Sequence, residues 1–184
     1  MIKYICTIIT FFSLNAIAKS YWVFGYEKSI NKRIYYLLPT NIELKFEENS
    51  FFTGKSNDNF DLLINYGNSY SQNEKLTTLR FLFEPKTNIL DKSNFNLFIG
   101  YGIIYDSSSI KDSTLNLYTN NSFLGDLNLN LRYVVSEGFS INSKFTYQKN
   151  LVNLSNSSEN KALLYFDDLF LTSLSLGINF DKIW

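Results

Sequence analysis

The sequence predicts an all-β fold: an eight-stranded antiparallel up-and-down transmembrane β-barrel behind a cleaved signal peptide. Three observations carry that reading. A leader-like segment opens the chain, apolar and polar residues alternate with period two along the rest, and a tight turn between two strong strands contrasts with long polar connections around it.

The leader is MIKYICTIITFFSLNAIAKS. Lys3 precedes a mostly apolar run from Tyr4 to Leu14, and Ala16-Ile17-Ala18 follows as a small-x-small cleavage pattern. That order is the signature of a secretory signal peptide. Residues 1–18 are therefore expected to leave, with 19–184 as one barrel domain, a size that suits a single core. Cys6 leaves with the leader, so the mature chain is expected to carry no disulfide and no cysteine metal site. No other segment offers the roughly 18 continuous apolar residues of a spanning helix.

The expected strands run in order as follows. Tyr21–Lys28, Asn41–Glu47, Phe60–Ser69 and Thr77–Glu84 show looser alternation. Asn94–Tyr105 places Phe95, Leu97, Ile99, Tyr101, Ile103 and Tyr105 on one face. Leu127–Val135 alternates leucines with Asn128, Asn130 and Arg132, and Phe139–Tyr147 alternates with Ser140, Asn142, Lys144 and Thr146. A last strand spans about Leu169 to Phe180. Strict alternation over eight or more residues is the half-buried strand pattern. Each segment approaches the roughly 9–11 residues of a tilted membrane strand, and an even count can close without an edge. Ser113–Thr119 is a ninth candidate, as part of a loop hairpin.

Ser136-Glu137-Gly138 reads as a tight turn. The connections around that hairpin, about 106–124 and 149–168, are long and rich in Ser, Asn and Lys. Short turns at one end and long loops at the other are how outer-membrane barrels are built. Glu48–Asn59 and Pro85–Asn94 are longer than that rule expects.

Alternation alone does not say whether the apolar face turns inward or outward. The polar face carries Glu43, Glu47, Asp61 and Glu84 against Lys45, Arg80, Arg132 and Lys144, a balanced set that can pair inside a narrow barrel. Aromatics fall near strand ends: Tyr21, Trp22, Tyr26, Tyr66, Tyr101, Tyr105, Tyr133, Tyr147, Phe180 and Trp184. Such girdles mark membrane interfaces. The final strand puts Leu174, Leu176, Ile178 and Phe180 toward lipid, with Ser175, Gly177 and Asn179 inward. Lys182 breaks this parity, which places Ile183 and Trp184 at the membrane surface. The alternative is a soluble exported sandwich or lipocalin-like barrel, with the apolar face lining a calyx for a small apolar ligand.

The leader, the eight alternating segments and the terminal Ser175-x-Gly177-x-x-Phe180 together resemble the small outer-membrane β-barrels of the OmpA/OmpX type. The resemblance implies residence in the outer membrane of a Gram-negative bacterium, contact with its lipid, and engagement of the barrel assembly machinery through the C-terminal strand. It also implies a monomer with a side-chain-filled or very narrow lumen and a structural or surface-interaction role through extracellular loops. Lys182 departs from the terminal hydrophobic residue that the assembly signal would carry.

Catalysis finds little footing. The chain has no histidine, which removes imidazole bases and Ser-His-Asp triads. The lipid A palmitoyltransferase and deacylase barrels resemble this fold but rely on histidine. Glu47-Glu48 and Asp167-Asp168 are adjacent carboxylates, and neighbours in a strand point to opposite faces. Ser56-Asn57-Asp58-Asn59 and Asp106-Ser107-Ser108-Ser109 fit turn chemistry better than a Ca²⁺ loop. Gly100-Tyr101-Gly102 lies within a strand, where glycine relieves crowding. Seventeen Lys and Arg balance seventeen Asp and Glu, so nothing favours nucleic acid. No catalytic, cofactor-binding or metal-ligating residue is singled out, and no cofactor is expected.

Overall fold

A computed structural model describes residues 20–38, 42–71, 74–111, 117–154, 162–165 and 168–182. Eleven strands are present among them: β1 Tyr21–Ser29, β2 Arg33–Leu38, β3 Ile42–Phe46, β4 Asn49–Ser56, β5 Phe60–Ser71 and β6 Glu74–Lys92, then β7 Phe95–Lys111, β8 Leu117–Ser136, β9 Phe139–Asn153, β10 Ala162–Tyr165 and β11 Leu169–Ile178. Eight of them close an antiparallel barrel in the order β1-β4-β5-β6-β7-β8-β9-β11, with β11 returning to β1. The other three form a separate sheet, β10-β2-β3.

Period two governs the wall. Ile99, Tyr101, Ile103, Leu127, Leu129, Ile141, Phe145, Leu174 and Leu176 are exposed on the outside, while Asn128, Asn130, Arg132, Asn142, Lys144, Ser173 and Ser175 are buried inside. Successive strand side chains point to opposite faces, so a one-residue slip in register would invert the barrel. At the centre of the β8–β9 register Leu129 stands opposite Phe145 on the outside and Asn130 opposite Lys144 on the inside.

One end of the barrel has short connections. Glu137-Gly138 joins Ser136 to its partner Phe139, and Ser93-Asn94 joins Lys92 to its partner Phe95. Between β4 and β5, Asn57 Oδ1 accepts hydrogen bonds from the amides of Asn59 and Phe60, both at 2.8 Å. This Asx turn is the local chemistry expected of the Ser56–Asn59 stretch. The other end carries the β10-β2-β3 sheet, inserted in the long β1–β4 and β9–β11 connections, whereas β5 meets β6 there across two residues and β7 meets β8 across five.

Several expected elements are corrected, beginning with the Asn41–Glu47 strand. Ile42–Phe46 is no barrel strand; it pairs with β2 in the cap sheet, and Glu43 and Lys45 form an exposed ion pair at 2.9 Å outside the lumen. Glu47 is likewise exposed. The wall strand is instead β4, within the stretch expected to connect. The long Pro85–Asn94 connection is mostly strand: β6 runs to Lys92, with a register shift between Asn88 and Leu90. Only Ser93 and Asn94 remain as the turn, which restores the short-turn rule. β7 extends to Lys111 and β8 starts at Leu117, so most of the expected 106–124 loop is wall as well. Of the Ser113–Thr119 candidate, Leu117–Thr119 belongs to β8 and the rest lies outside the described residues. The last strand ends at Ile178, with Phe180–Lys182 in a 3-10 turn. The leader, Ile183 and Trp184 lie outside the described residues.

Glycine makes one close approach possible. Gly25 faces inward beneath the Phe52 ring, and a Cβ there would overlap that ring and stand 2.6 Å from Ser175 Cβ. Gly25→Val is expected to destabilise the barrel by about 1–3 kcal/mol through overpacking, read as a lowered urea midpoint. Adding Phe52→Ala should return part of the loss.

Candidate functional site: the charged lumen and its cap

The lumen is organised around buried charge. Toward the capped end, Asp106 of β7 accepts Nη2 of Arg33 at 2.7 Å and Nε of Arg80 at 2.9 Å. Arg33 also reaches Glu48 Oε2 at 3.2 Å, and Arg80 pairs with Glu48 and with Glu27 Oε1 at 3.3 Å. Asn65 donates to Glu27 at 3.0 Å, and Ser108 donates to Asp106 at 2.6 Å. Two guanidiniums thus bind three carboxylates, and the planar fork of arginine allows each to serve several oxygens at once.

Nearer the short-turn end, Lys86 pairs with Asp61 at 2.5 Å and donates to Ser56 at 2.9 Å. Lys144 pairs with Glu84 at 2.6 Å, and Asn128 bridges Glu84 and Asp126. Arg132 closes that end: it binds Asp58 at 2.7 Å and Asn142 at 3.2 Å, while its guanidinium lies over the rings of Tyr21 and Phe98. A cavity between Asp61, Leu63, Lys144 and Ser175 measures about 20 Å³, roughly the space of one water. Side chains fill this interior as expected for eight strands.

The cap is built into the lumen. Arg33 and Tyr35 of β2 and Phe46 of β3 are fully buried. Tyr35 and Phe46 pack with Leu76, Ile104, Ile110 and Leu124 from the inner wall, and Tyr35 donates to Ser108 at 2.8 Å. Burial raises the Tyr35 phenol well above its ordinary value, so it stays a neutral donor. The capped mouth is therefore filled by apolar side chains interleaved with the ionic cluster, Ile104 and Ile110 flanking Asp106 along β7.

Five of the eight charges expected on the polar face, Asp61, Glu84, Arg80, Arg132 and Lys144, do lie in the lumen. Glu43, Lys45 and Glu47 do not, because their segment left the wall. Sequence reasoning missed Glu27, Arg33, Glu48, Lys86, Asp106 and Asp126. Parity offered Glu27, two residues beyond Gly25, and Asp126, two before Asn128. Asp106, expected in a turn, sits inside β7 with the Ser107–Ser109 run. Glu47 and Glu48 lie in the connection between β3 and β4 and not within a strand; Glu47 is exposed, and Glu48 is buried by its pairing with Arg33 and Arg80.

The outer face is apolar around the circumference, including Phe24, Phe51, Ile64, Phe81, Phe83, Ile103, Leu127, Ile141 and Leu174. Aromatic contacts run along it, Tyr105 with Phe123 at 5.7 Å and Tyr147 with Phe170 at 5.2 Å between ring centroids. Trp22 sits toward the short-turn end with the Lys55 ammonium 5.3 Å from its ring centre. Tyr21, expected in a girdle, instead faces the lumen, and Tyr101 lies mid-strand.

Against solved structures the likeness is broad. The barrel is similar to Neisserial surface protein A, with a TM-score of 0.61 at 10% identity over 89% of this chain and 98% of that one. It is also similar to the outer membrane protein OprG from Pseudomonas aeruginosa, TM-score 0.55 at 10% identity, covering 88% and 95% of the two chains. The N-terminal barrel domain of Pseudomonas aeruginosa OprF gives 0.51 at 13% identity, covering 88% and 98%. The fold is that of the small outer-membrane β-barrels. No family model matches the sequence, and a comparison with curated proteins gives no match. A lipocalin-like calyx needs an apolar interior and a polar outside; this barrel has the reverse, and its outer band is a lipid-facing surface.

Proposed function

We propose that the lumen of this outer-membrane barrel is a structural core and not a pathway, and that its role, structural or in surface interaction, is carried by the capped end, with its loops facing outside the cell. The observation that supports this best is Arg33. It comes from the cap, it is fully buried, and it binds Glu48 and Asp106 within the barrel. Opening a conducting path would break a buried ion pair, which costs about 3–5 kcal/mol. The reading is non-enzymatic: the chain has no histidine, and the buried carboxylates are engaged with cations or amides. It includes a cleaved leader at residues 1–18, a monomer, and delivery of the C-terminal strand to the barrel assembly machinery. Planar bilayers test the closed lumen. The full mature chain is expected to give a silent bilayer at moderate voltage, whereas stable single-channel steps would overturn the reading.

A further inference from the structure

We propose that the outer face of the barrel at its capped end binds the phosphate groups of an anionic outer-leaflet glycolipid, with Lys75 and Lys111 as the phosphate clamp. The inference rests on the membrane-barrel reading above and adds a ligand class to it.

Parity has sorted the charges at this end. Lys28 of β1, Lys75 of β6, Lys111 of β7 and Lys149 of β9 occupy outward positions, whereas Glu27, Asp106 and Asp126 of β1, β7 and β8 turn inward and are buried. Among the described residues of the barrel wall, the outward charges of the capped half are all lysine; on the cap sheet Glu43 is exposed and paired with Lys45. The short-turn end shows no such bias: Lys55, Lys92 and Lys182 share it with Asp91 and Glu137, and Lys182 pairs with Glu137 at 3.5 Å.

Lys75 and Lys111 stand directly opposite each other in the β6–β7 register. Like charges in that relation destabilise a sheet, and among the described residues neither has a carboxylate partner. Tyr70 is the next residue in the same row, opposite Lys75, with the ammonium 5.8 Å from its ring centre and 70% of its own surface exposed. A phosphate between the two ammonium groups would accept charge-assisted hydrogen bonds from both, remove their repulsion, and lie within reach of the Tyr70 hydroxyl.

The height fits a headgroup. On β6 the outward apolar positions run from Leu79 to Ile89, which at about 3.3 Å per residue and a tilt near 40° spans about 25 Å, the usual apolar band. Lys75 lies four residues beyond Leu79, about 10 Å higher on the same arithmetic. The rows between are polar: Asn68, Thr77, Ser109 and Thr119. The pair therefore sits above the hydrocarbon, where lipid phosphates and sugars lie.

The test uses the full mature chain folded into phosphatidylcholine vesicles, with bisphosphorylated lipid A as the added glycolipid. Lipid retained on the protein is read by native mass spectrometry, and folding is read by heat-modifiable migration on gels. Wild type is expected to retain lipid A, and K75Q/K111Q to retain about tenfold less while still migrating as a folded barrel. K55Q, at the other end, should behave as wild type, and high salt should weaken wild-type retention. Equal retention by K75Q/K111Q, or equal retention of dephosphorylated lipid A, would overturn the proposal. Equal retention of phosphatidylglycerol would overturn the glycolipid assignment. A chain that inserts into no vesicle overturns the membrane reading and this inference with it, a result distinct from folded insertion without lipid selectivity.

Discussion

Arg80→Ala is expected to cost about 3–5 kcal/mol of barrel stability, the usual penalty for leaving buried charge unpaired. Arg80 is 1% exposed and holds three carboxylates, Glu27, Glu48 and Asp106. Removing it leaves Arg33 as the remaining guanidinium for Glu48 and Asp106, and Glu27 with neutral donors. The measurement is the urea midpoint in vesicles, followed by heat-modifiable gel migration. Arg80→Lys should recover part of the loss, since an ammonium restores charge but not the fork. Adding Glu48→Gln to Arg80→Ala should also recover part, because it removes a stranded charge. Lys45→Ala, at an exposed pair on the cap, should shift the midpoint by well under about 1 kcal/mol. A midpoint for Arg80→Ala close to wild type would mean that the lumen network does not hold the barrel together.

Leu129→Arg is expected to cost about 2–4 kcal/mol, the penalty for arginine at a bilayer midplane on the lipid face of a barrel. Leu129 lies at the middle of the outward stretch from Phe123 to Val135 on β8, 45% exposed, between Ile99 and Phe145 on the neighbouring strands. On a soluble protein an arginine at such an exposed position would cost almost nothing. The same urea titration in vesicles therefore checks the class of the protein as well as the site. Arginine at Tyr70, high on the same outer face, should be tolerated. No loss at Leu129 would mean that the outer band does not face lipid.

How legible was this protein? β8, β9 and β11 could be read directly, because the outward residues in their central parts are apolar apart from Ser143 and Thr172, and nearly every inward one is polar. β4 could not. Phe51 and Phe52 are adjacent, one pointing to lipid and one folding inward over Gly25, so the alternation vanishes. Its place was taken by Ile42–Phe46, whose alternation is clean but serves a sheet over the mouth. The lower half of β6 was hidden by Pro85 and by the irregularity at Asn88–Leu90. Inward Phe98, Ile104 and Ile110 spoiled the polar face of β7; they are inside because the cap and the arginine-lysine layer give them apolar or cationic partners.

The sequence by itself determined the all-β class, the approximate number of strands, the sorting of apolar and polar residues onto opposite faces and much of the charge on the polar one. These follow from period two, which is a local property of each strand. Tertiary structure decided which strand-like segment enters the wall, that Arg33 and Tyr35 plug the mouth, and that Arg80, Glu48 and Asp106 meet. Those outcomes depend on barrel closure, because register and stagger bring together residues dozens of positions apart, and no local pattern encodes which of them will share the axis.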